Sequence, residues 1–471
     1  MTKEIKILSK DQVATGVDQF TLGLTQYLGE LGLPHEQVLV PVHERQRVIS
    51  NVPDVLELID ANRKSTSIYL SKFIAACGAG LFDAALNFIW DETVVNLRNK
   101  VARFDLEYFY DSVITDTKRR SKLKDESDLQ KIEEWELIRG CHLTGILSDI
   151  GYKHLDYIRD MRNWASAAHP NQNDLTGFQL ISWLETCIRE VIAKEPEGPV
   201  IEVKRFLNSI RNTTLTEQDA QYIRAGIEYL PAELATSVLR TLFGMYTTKD
   251  SAVHIKSNIK LVARSAWNVA PDEVKYECGF KYATFASNGE VERKGAANEF
   301  LSVVGGLPFL PNDTLALEMS EKIDSLFAAH TGFNNFHNEP AHARALDAYV
   351  SSAGTIPDAV RKSYVKTLVM ARIGNGHGTS DMAVTYYENL IAKFGEVELR
   401  EVALLLVDRE FSSRVGLRSC VSSFKALVGR LAPRTTNQVT QQAFAQIQGA
   451  TDAQIPNLGK DSSFKRILGI K

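Results

Sequence analysis

An arginine, an asparagine and a histidine stand close together in the stretch His154–Pro170, and side chains of these types can act on a phosphate. Arg162 and His169 are seven residues apart, about two turns of a helix, so in a helix both side chains share one face. Pro170 would end that helix and leave His169 at its carboxyl end, where the helix dipole favours an imidazolium. A guanidinium binds phosphate, and an imidazole with an ordinary pKa of about 6.5 transfers protons at neutral pH. The spacing therefore indicates chemistry on one phosphate, with Asn163 positioned to orient the arginine or the substrate.

The same residues also have a purely structural interpretation. Arg162 can form an ion pair with Asp156 or Asp160 on or near the same helix. His169 can donate a hydrogen bond to the carbonyl groups at the end of that helix. The sequence leaves both interpretations open.

The rest of the sequence must position this stretch, and its pattern predicts a chain that is helical nearly throughout. Apolar residues recur at three- and four-residue spacing, and strand-like alternation is rare. Thr214 stands three residues before Glu217, which is the spacing of a capping box, and Asn173-Asp174 precedes another predicted helix. The sequence therefore predicts an all-α fold. The clearest predicted helices cover residues 68–101, 129–150, 152–168, 175–194, 216–229, 231–246, 313–329, 357–372 and 380–395.

The best domain boundary is the segment Glu195–Pro199, which contains two prolines and a glycine and so ends any helix. The charge balance also changes sign there, from net −7 over residues 1–200 to net +3 over residues 201–471. A softer interruption lies between residues 50 and 66. We therefore predict an N-terminal helical segment at 1–65, a helical module at 66–195 and a C-terminal helical region at 200–471.

The C-terminal region reads as successive helices joined by short loops. Leu230-Pro231 and Ile356-Pro357 each place a proline at or near a first helical turn. Helical hairpins in series can stack as an α-solenoid, which offers an extended binding surface. No fixed repeat period is visible, so an irregular helical bundle is the alternative.

The stretch Arg162-Asn163…His169 resembles the catalytic motif of the HEPN family (higher eukaryotes and prokaryotes nucleotide-binding domains). That motif is an arginine, often followed by Asn, Asp or His, and then a histidine after four to six intervening residues; here six intervene. In this family a long early helix precedes the motif helix and another follows it, and residues 68–101 and Leu175–Ala193 fit those positions. The resemblance implies a HEPN-like helical bundle at 66–195.

What the resemblance implies is a metal-independent endoribonuclease of a bacterial anti-phage defence or toxin–antitoxin system. In such enzymes the 2′-hydroxyl of the substrate attacks the adjacent phosphate, leaving a cyclic phosphate and a 5′-hydroxyl. His169 would be the general base or acid, Arg162 would hold the phosphate, and Asn163 would orient them. The family usually builds this site across a homodimer, and an inhibitor or trigger protein would be a further partner.

The alternative belongs to a different class of protein. In it the chain is a non-enzymatic, all-helical interaction or sensor protein, and the HEPN-like module is inactive and serves dimerisation. A third hypothesis is that the chain is the regulatory target of a partnered enzyme that transfers or binds nucleotides.

Composition excludes several other classes. No run of about 18 apolar residues is present, as a membrane-spanning helix would need, and the N-terminus carries charges where a secretory signal needs an apolar run. The five cysteines are widely spaced and form no CxxC pair, so neither a disulfide framework nor a zinc ribbon is indicated. We expect a cytoplasmic protein without cofactor or metal site.

The net charge of −4 argues against a broad surface for nucleic acid, so contacts with RNA would have to be local. The basic segment 118–124 and the C-terminal region are the candidates, although a solvated face is the simpler interpretation. The predicted RNA-binding residues are Arg159, Lys118, Arg119, Arg120, Lys122 and Lys124.

Four further patterns favour structure over chemistry. His330, His337 and His342 with Glu339 do not have metalloprotease spacing, and we interpret them as a polar loop interrupted by Pro340. The glycine-rich loop 374–378 is interpreted as a plain loop before a helix capped by Ser380 or Asp381 rather than a phosphate cradle. The acid pairs Asp91-Glu92 and Glu133-Glu134 indicate solvated faces, and the aromatic run Phe104–Tyr110 indicates core or dimer packing.

Overall fold

The computed structural model describes residues 10–36, 38–114, 116–165, 175–195 and 198–470. Every regular element among those residues is helical, which confirms the all-α class. The chain divides into two compact units: residues 1–245 with 252–271 form the first, and residues 246–251 with 272–471 form the second. The segment 66–195 therefore lies within the first unit, together with the helices that follow it up to residue 271.

The first unit contains the described helices that follow in chain order. They are α1 (Lys10–Glu30), α2 (Val42–Leu56), α3 (Ala61–Thr66), α4 (Ile68–Ala79), α5 (Phe82–Arg103), α6 (Leu106–Val113), α7 (Thr117–Arg120), α8 (Glu134–Leu143), α9 (Asp149–Ala165), α10 (Gly177–Cys187), α11 (Gly198–Asn212), α12 (Glu217–Glu228), α13 (Ala232–Thr247, whose last two residues belong to the second unit) and α14 (Val253–Val269). A 3₁₀ segment (Glu126–Lys131) precedes α8, and a π-helical segment (Ile188–Ile192) continues α10.

The second unit is likewise a succession of helices. They are α15 (Asp272–Ser287), α16 (Val291–Val304), α17 (Asn312–Thr331), α18 (Asn335–Asp347), α19 (Asp358–Ile373), α20 (Asp381–Ala392), α21 (Glu396–Leu404), α22 (Arg409–Arg414), α23 (Arg418–Leu431), α24 (Gln438–Gly449), α25 (Ile455–Leu458) and α26 (Ser462–Leu468), with 3₁₀ turns at Leu307–Phe309, Leu405–Val407 and Ala432–Arg434.

Helix α5 is the centre of the packing in residues 66–195. Its buried side chains recur at helical spacing and include Leu86, Ile89, Trp90 and Leu97. It contacts α4, α8, α9 and α10. Burial of several large side chains, each stabilising by about 1.5–3 kcal/mol, holds α8 and α9 in place against α5.

Two predicted helices are each interrupted by a glycine. The single helix predicted at 68–101 is wrong, because Gly80 adopts a left-handed conformation (φ 85°) that ends α4 before α5 begins. A Cβ there would also lie 2.6 Å from Nε of the buried Arg45. The helix predicted at 129–150 is also wrong, because Gly145 (φ 76°) forms the turn between α8 and α9. Apolar periodicity continues through both breaks, so it could not reveal them.

The helix caps lie close to the predicted positions. The capping box of α12 is formed by Thr216 and Asp219 rather than by Thr214 and Glu217. Helix α10 is capped by Thr176, because the hydroxyl of this residue accepts a hydrogen bond from the backbone N–H of Gln179. Asn173 and Asp174 lie outside the described residues.

Helices of the second unit pack mainly on near neighbours in the chain. Helix α17 contacts α18 and α19, α18 contacts α20, and α19 contacts α20 and α21. Side-chain hydrogen bonds join residues at similar separations, such as Tyr282 to Glu318 (36 apart), Lys366 to Asp408 (42 apart) and Ser412 to the carbonyl of Pro456 (44 apart). These contacts therefore join helices that lie within about 45 residues of each other in the chain.

A buried polar cluster in the second unit joins α17, α18, α20 and α22. The guanidinium of Arg414 donates to His330 Nε2 at 2.8 Å, and because guanidinium only donates, Nε2 carries no hydrogen. His330 Nδ1 therefore donates to Glu339 Oε1 at 2.9 Å. Asn335 (2.7 Å) and the Tyr387 hydroxyl (2.6 Å) also donate to this carboxylate. The predicted polar loop is wrong, since His330 lies in α17, and His337 and His342 lie in α18.

Pro340 lies inside α18 and does not interrupt it. A proline has no N–H, so the carbonyl of Phe336, four residues earlier, loses its helical partner. The fully buried hydroxyl of Ser380 donates to that carbonyl at 2.6 Å. The helix therefore tolerates the proline because a neighbouring element supplies the missing donor.

Candidate active site

Arg162 extends the buried face of α9. The buried residues of this helix are Gly151, Leu155 and Ile158, and Arg162 follows at the same helical spacing. The guanidinium therefore points toward α5 and α8 rather than into open solvent, and only 21% of the side chain is exposed.

The guanidinium of Arg162 meets a carboxylate at the first residue of α8. Arg162 Nη2 lies 2.7 Å from Oε1 and 2.6 Å from Oε2 of Glu134. The indole N–H of Trp90 on α5 donates to Oε2 of the same carboxylate at 2.8 Å. The guanidinium carbon also lies 5.7 Å from the Trp90 ring centroid, within cation–π range. One arginine thus ties α5, α8 and α9 together.

Only part of the donor capacity of Arg162 is used by Glu134. Nη1 donates to Oδ1 of the neighbouring Asn163 at 3.0 Å. Nε is buried and has no hydrogen-bond partner among the described residues. The carboxylate neutralises the guanidinium, so a phosphate that binds Arg162 has to share it with Glu134 or displace Glu134 from it.

A second carboxyl group lies beside this pair. Burial raises the pKa of Asp91 above its ordinary value, the charge of Arg162 opposes the shift, and the charge of Glu134 adds to it. Asp91 follows Trp90 on α5, and Lys72 on α4 also lowers its pKa. A carboxyl with a raised pKa next to an arginine is a candidate for proton transfer.

The other predicted catalytic residues divide between the described and undescribed parts of the chain. Asn163 is exposed beside Arg162. His169 lies outside the described residues, as does the end of the helix predicted to reach residue 168. The ion pairs with Asp156 and Asp160 that were predicted for Arg162 are formed by Arg159. Its Nη2 lies 2.9 Å from Asp156 and 2.8 Å from Asp160.

An open cleft of about 480 Å³ runs beside these residues. Three of the side chains that line it are acidic, namely Glu133, Glu134 and Asp160, and one is the basic Arg159. Asn163 also lines it. The cleft lining therefore offers a phosphate little attraction beyond Arg159.

The predicted RNA-binding segment 118–124 is partly engaged within the fold. Arg119 binds both carboxylate oxygens of the buried Glu136 on α8. Arg120 donates to Asp111 at 2.6 Å and lies over the ring of Tyr110. The lysines of the segment, by contrast, are exposed; they are Lys118, Lys122 and Lys124.

An apolar stripe on α9 faces solvent next to the cleft. Ile150, Tyr157 and Trp164 stand seven residues apart and are 63%, 53% and 54% exposed. His154 and Met161 fall between them at alternating spacings of four and three residues, which is the pattern of a helix-pairing seam. Such a face is typical of an interaction surface.

Sequence reasoning missed the residues that hold Arg162. The sequence pattern favours solvated faces for both Glu134 and Asp91, and it marks Trp90 only as a helix residue. Glu134 is 28 residues from Arg162, and no short-range spacing rule links them. The aromatic run Phe104–Tyr110 is buried, as the core interpretation predicted.

No protein-family model matches the chain, and neither the curated proteins nor the solved structures provide a match. Within the described ranges, no helix has both the length and the apolar character needed to cross a bilayer. In the same part of the chain, His, Cys, Asp and Glu side chains do not gather in groups of three or more that would hold a metal ion.

Proposed function

We propose that this protein is a metal-independent endoribonuclease whose site is built from Arg162, Asn163 and His169. The observation that carries the proposal is the position of Arg162: it is held by Glu134 and Trp90 on the inward face of α9, and its contacts Glu134 and Asn163 line an open cleft. The resemblance of the motif to HEPN ribonucleases supplies the reaction. That resemblance also places the enzyme in a bacterial anti-phage defence or toxin–antitoxin system.

In the proposed reaction the 2′-hydroxyl of RNA attacks the adjacent phosphorus. The proton of that hydroxyl passes to a base, the bond to the 5′-oxygen breaks, and the leaving oxygen takes up a proton. His169 transfers a proton, and Arg162 stabilises the charge that develops on the phosphate oxygens. Asn163 holds Nη1 of Arg162 through its side-chain oxygen.

Glu134 has a defined role in this proposal. In the free protein it neutralises Arg162 and fixes the direction of the guanidinium. A phosphate then competes with a carboxylate for one arginine, which weakens binding of RNA in the ground state. Arg162 would be released to the phosphate as negative charge increases in the transition state.

A homodimer formed through α9 is part of the proposal. The stripe of Ile150, Tyr157 and Trp164 gives the helix an exposed apolar seam beside the motif. In an antiparallel pair centred on Tyr157, Lys153 of one copy lies near Asp160 of the other, and the two-fold axis repeats this contact. The pair supplies the homodimer, and a composite site with one base and one acid from two copies of the motif is what the HEPN resemblance implies.

The second unit is proposed to be an α-solenoid that recognises a trigger, an inhibitor or the RNA. Hairpins that contact their neighbours, with side-chain bonds recurring at 36 to 44 residues, support this arrangement.

The decisive experiment is cleavage of labelled RNA by the purified full-length chain with a chelator present. We expect wild type to produce cyclic phosphate and 5′-hydroxyl ends. His169→Ala should reduce the rate by about 10²–10⁴-fold, since that is the usual contribution of a general acid or base. Arg162→Lys should also reduce it, because lysine keeps the charge but not the planar donor geometry.

His43→Ala is the matched control, because His43 is an exposed histidine of the same unit, on α2. It should retain full activity. If wild type does not cleave RNA, or if His169→Ala cleaves as fast as wild type, the ribonuclease proposal is wrong.

A second candidate function is a non-enzymatic interaction protein. The complete neutralisation of Arg162 by Glu134 favours it, because this contact joins three helices without any substrate. In that case Arg162→Lys should lower thermal stability, and wild type should cleave nothing. The cleavage assay therefore separates the two functions, and circular dichroism melting of the same variants measures the structural role of the contact.

A further inference from the structure

A basic cavity lies in the first unit, apart from the cleft beside Arg162. It has a volume of about 340 Å³, within the usual range for small-molecule sites. The last two turns of α5 form one wall, and α3 and α11 contribute others. None of its lining residues belongs to the proposed ribonuclease site.

Four cations line this cavity against one carboxylate. They are Arg63, Lys100, Arg103 and Lys204, and the carboxylate is Glu195. Glu195 forms an ion pair with Arg63. Across the described ranges, no carboxylate lies within ion-pair distance of the other three cations. A cavity with three uncompensated positive charges favours an anionic ligand.

Two of these cations are held in place by backbone carbonyls. The ammonium of Lys100 donates to the carbonyl of Lys194, and the ammonium of Lys204 donates to the carbonyl of Arg103 at the end of α5. An ammonium has three N–H donors, so each lysine keeps two for a ligand. Because the carbonyls already fix both side chains, a ligand does not have to order them, and the cost of binding falls.

Burial and the nearby positive charges both lower the pKa of Lys100. Burial in the first place, and then the charges of Arg63 and Lys194, lower the pKa of Lys100 to about 8. An anion in the cavity would oppose that shift and raise the pKa again. Binding is therefore coupled to proton uptake at mildly alkaline pH.

The remaining lining indicates the size and chemistry of the ligand. Asn99 on α5 offers an amide group, whereas Nδ2 of Asn96 already donates to the carbonyl and the carboxylate of Glu92. Ile201 and Phe104 add a small apolar wall. We propose that the cavity binds a small phosphorylated molecule that carries at least two negative charges. This site is independent of the proposed ribonuclease activity.

The test is calorimetric titration of the full-length chain with sodium pyrophosphate at constant ionic strength. We expect one saturable site at pH 7. Arg103→Gln should weaken binding by about tenfold, because it removes a charged donor from the lining. Arg103 is exposed, and within the described ranges its side chain forms no hydrogen bond or ion pair, so this variant is expected to fold.

Lys64→Gln is the matched control. Lys64 lies beside Arg63 on α3 and is exposed, but it does not line the cavity. The affinity of the Lys64→Gln variant for pyrophosphate should equal that of wild type. An equal loss of affinity in Lys64→Gln and Arg103→Gln would show only a general attraction of pyrophosphate to a positive surface, and it would overturn the proposal.

The pH dependence gives a second readout. The affinity of wild type should fall between pH 7 and pH 9, because Lys100 loses its proton near the middle of that range. In Lys100→Gln the affinity should be lower at pH 7 and nearly constant over the same range. Absence of saturable binding by wild type, or binding of citrate in place of pyrophosphate, would overturn the assignment to a phosphorylated ligand.

Discussion

The contact between Arg162 and Glu134 combines two roles in a single pair of side chains. It joins the ends of α8 and α9 to α5 through Trp90, and it holds the only arginine of the predicted motif. Such a pair is mostly removed from water, so loss of one partner leaves the other charge poorly solvated. Its contribution to stability can therefore be measured separately from any activity.

Glu134→Gln should lower the free energy of unfolding by about 1–3 kcal/mol, because the half-buried guanidinium of Arg162 loses its counter-charge. Glu185→Gln is the matched control, since Glu185 forms an exposed pair with Arg189 four residues away and should cost about 0.5 kcal/mol or less. Chemical denaturation of both variants measures the difference. Equal effects would mean that the Arg162 pair contributes no more than a surface pair.

The carboxylate of Glu339 is the most strongly hydrogen-bonded group of the buried cluster in the second unit. Burial alone would raise the pKa of Glu339, but the hydrogen bonds from His330, Tyr387 and Asn335 together lower it below its ordinary value. A lowered pKa in the folded state means that the unfolded chain binds the proton more readily. The stabilisation is therefore complete above the ordinary pKa of glutamate and is lost as the pH falls through the folded value.

Glu339→Gln should lower the free energy of unfolding by about 3 kcal/mol at pH 7, because it breaks a buried charge network. The difference from wild type should shrink as the pH falls below about 4, where the unfolded wild-type chain takes up the proton. Glu273→Gln, at an exposed residue of α15, should have little effect at either pH. A constant difference across that range would contradict the assigned pKa shift.

At the scale of elements, glycines decide where helices end and how closely they pack. The sequence predicted the helical content and the positions of α17, α19 and α20 in the second unit, because apolar periodicity and proline positions are local signals. It could not predict the breaks at Gly80 and Gly145, since a glycine inside a periodic segment can equally continue a helix. The contact between Arg162 and Glu134 could not be predicted either, because it forms only through tertiary packing.

Gly279 and Gly295 are both helical glycines of the second unit, but their surroundings differ. A Cβ on Gly279 would lie 2.1 Å from the carbonyl oxygen of Phe309, whereas a Cβ on Gly295 would meet nothing within 4 Å. Gly279→Ala should therefore destabilise the protein by about 1–3 kcal/mol. Gly295→Ala should stabilise it by up to about 1 kcal/mol, because alanine favours the helix. Thermal melting of the two variants tests the prediction, and a shift in the same direction for both would contradict it.

At the scale of the whole molecule, the distribution of charge bears on the proposed function. The first 200 residues carry a net charge of −7, and the cleft beside Arg162 is itself acidic. Long-range attraction of RNA by this region is therefore weak, and a second copy of the chain would have to complete the site. The composition alone predicted the weak attraction, but the exposed stripe on α9 became visible only in the structure.

Ile150→Glu should convert the proposed dimer into a monomer, because it places a charge in the apolar seam of α9. Ile68→Glu is the matched control, since Ile68 is an equally exposed isoleucine in the first turn of α4. Analytical ultracentrifugation at micromolar concentration reports the mass of each. A monomeric wild-type chain, or a dimeric Ile150→Glu variant, would remove the dimer from the proposal.

The division of the chain has a consequence for its synthesis. The first unit is interrupted by residues 246–251 and resumes with α14. Asn258 on α14 donates to the carbonyls of Ile210 and Thr213 and accepts from the backbone N–H of Leu215, so the end of α11 has its polar groups satisfied by a later helix. On the ribosome, where the chain grows at about 5–20 residues per second, the first unit stays unfinished until α14 has emerged. Nascent chains that stop before α14 should therefore expose that end of α11 to chaperones and proteases.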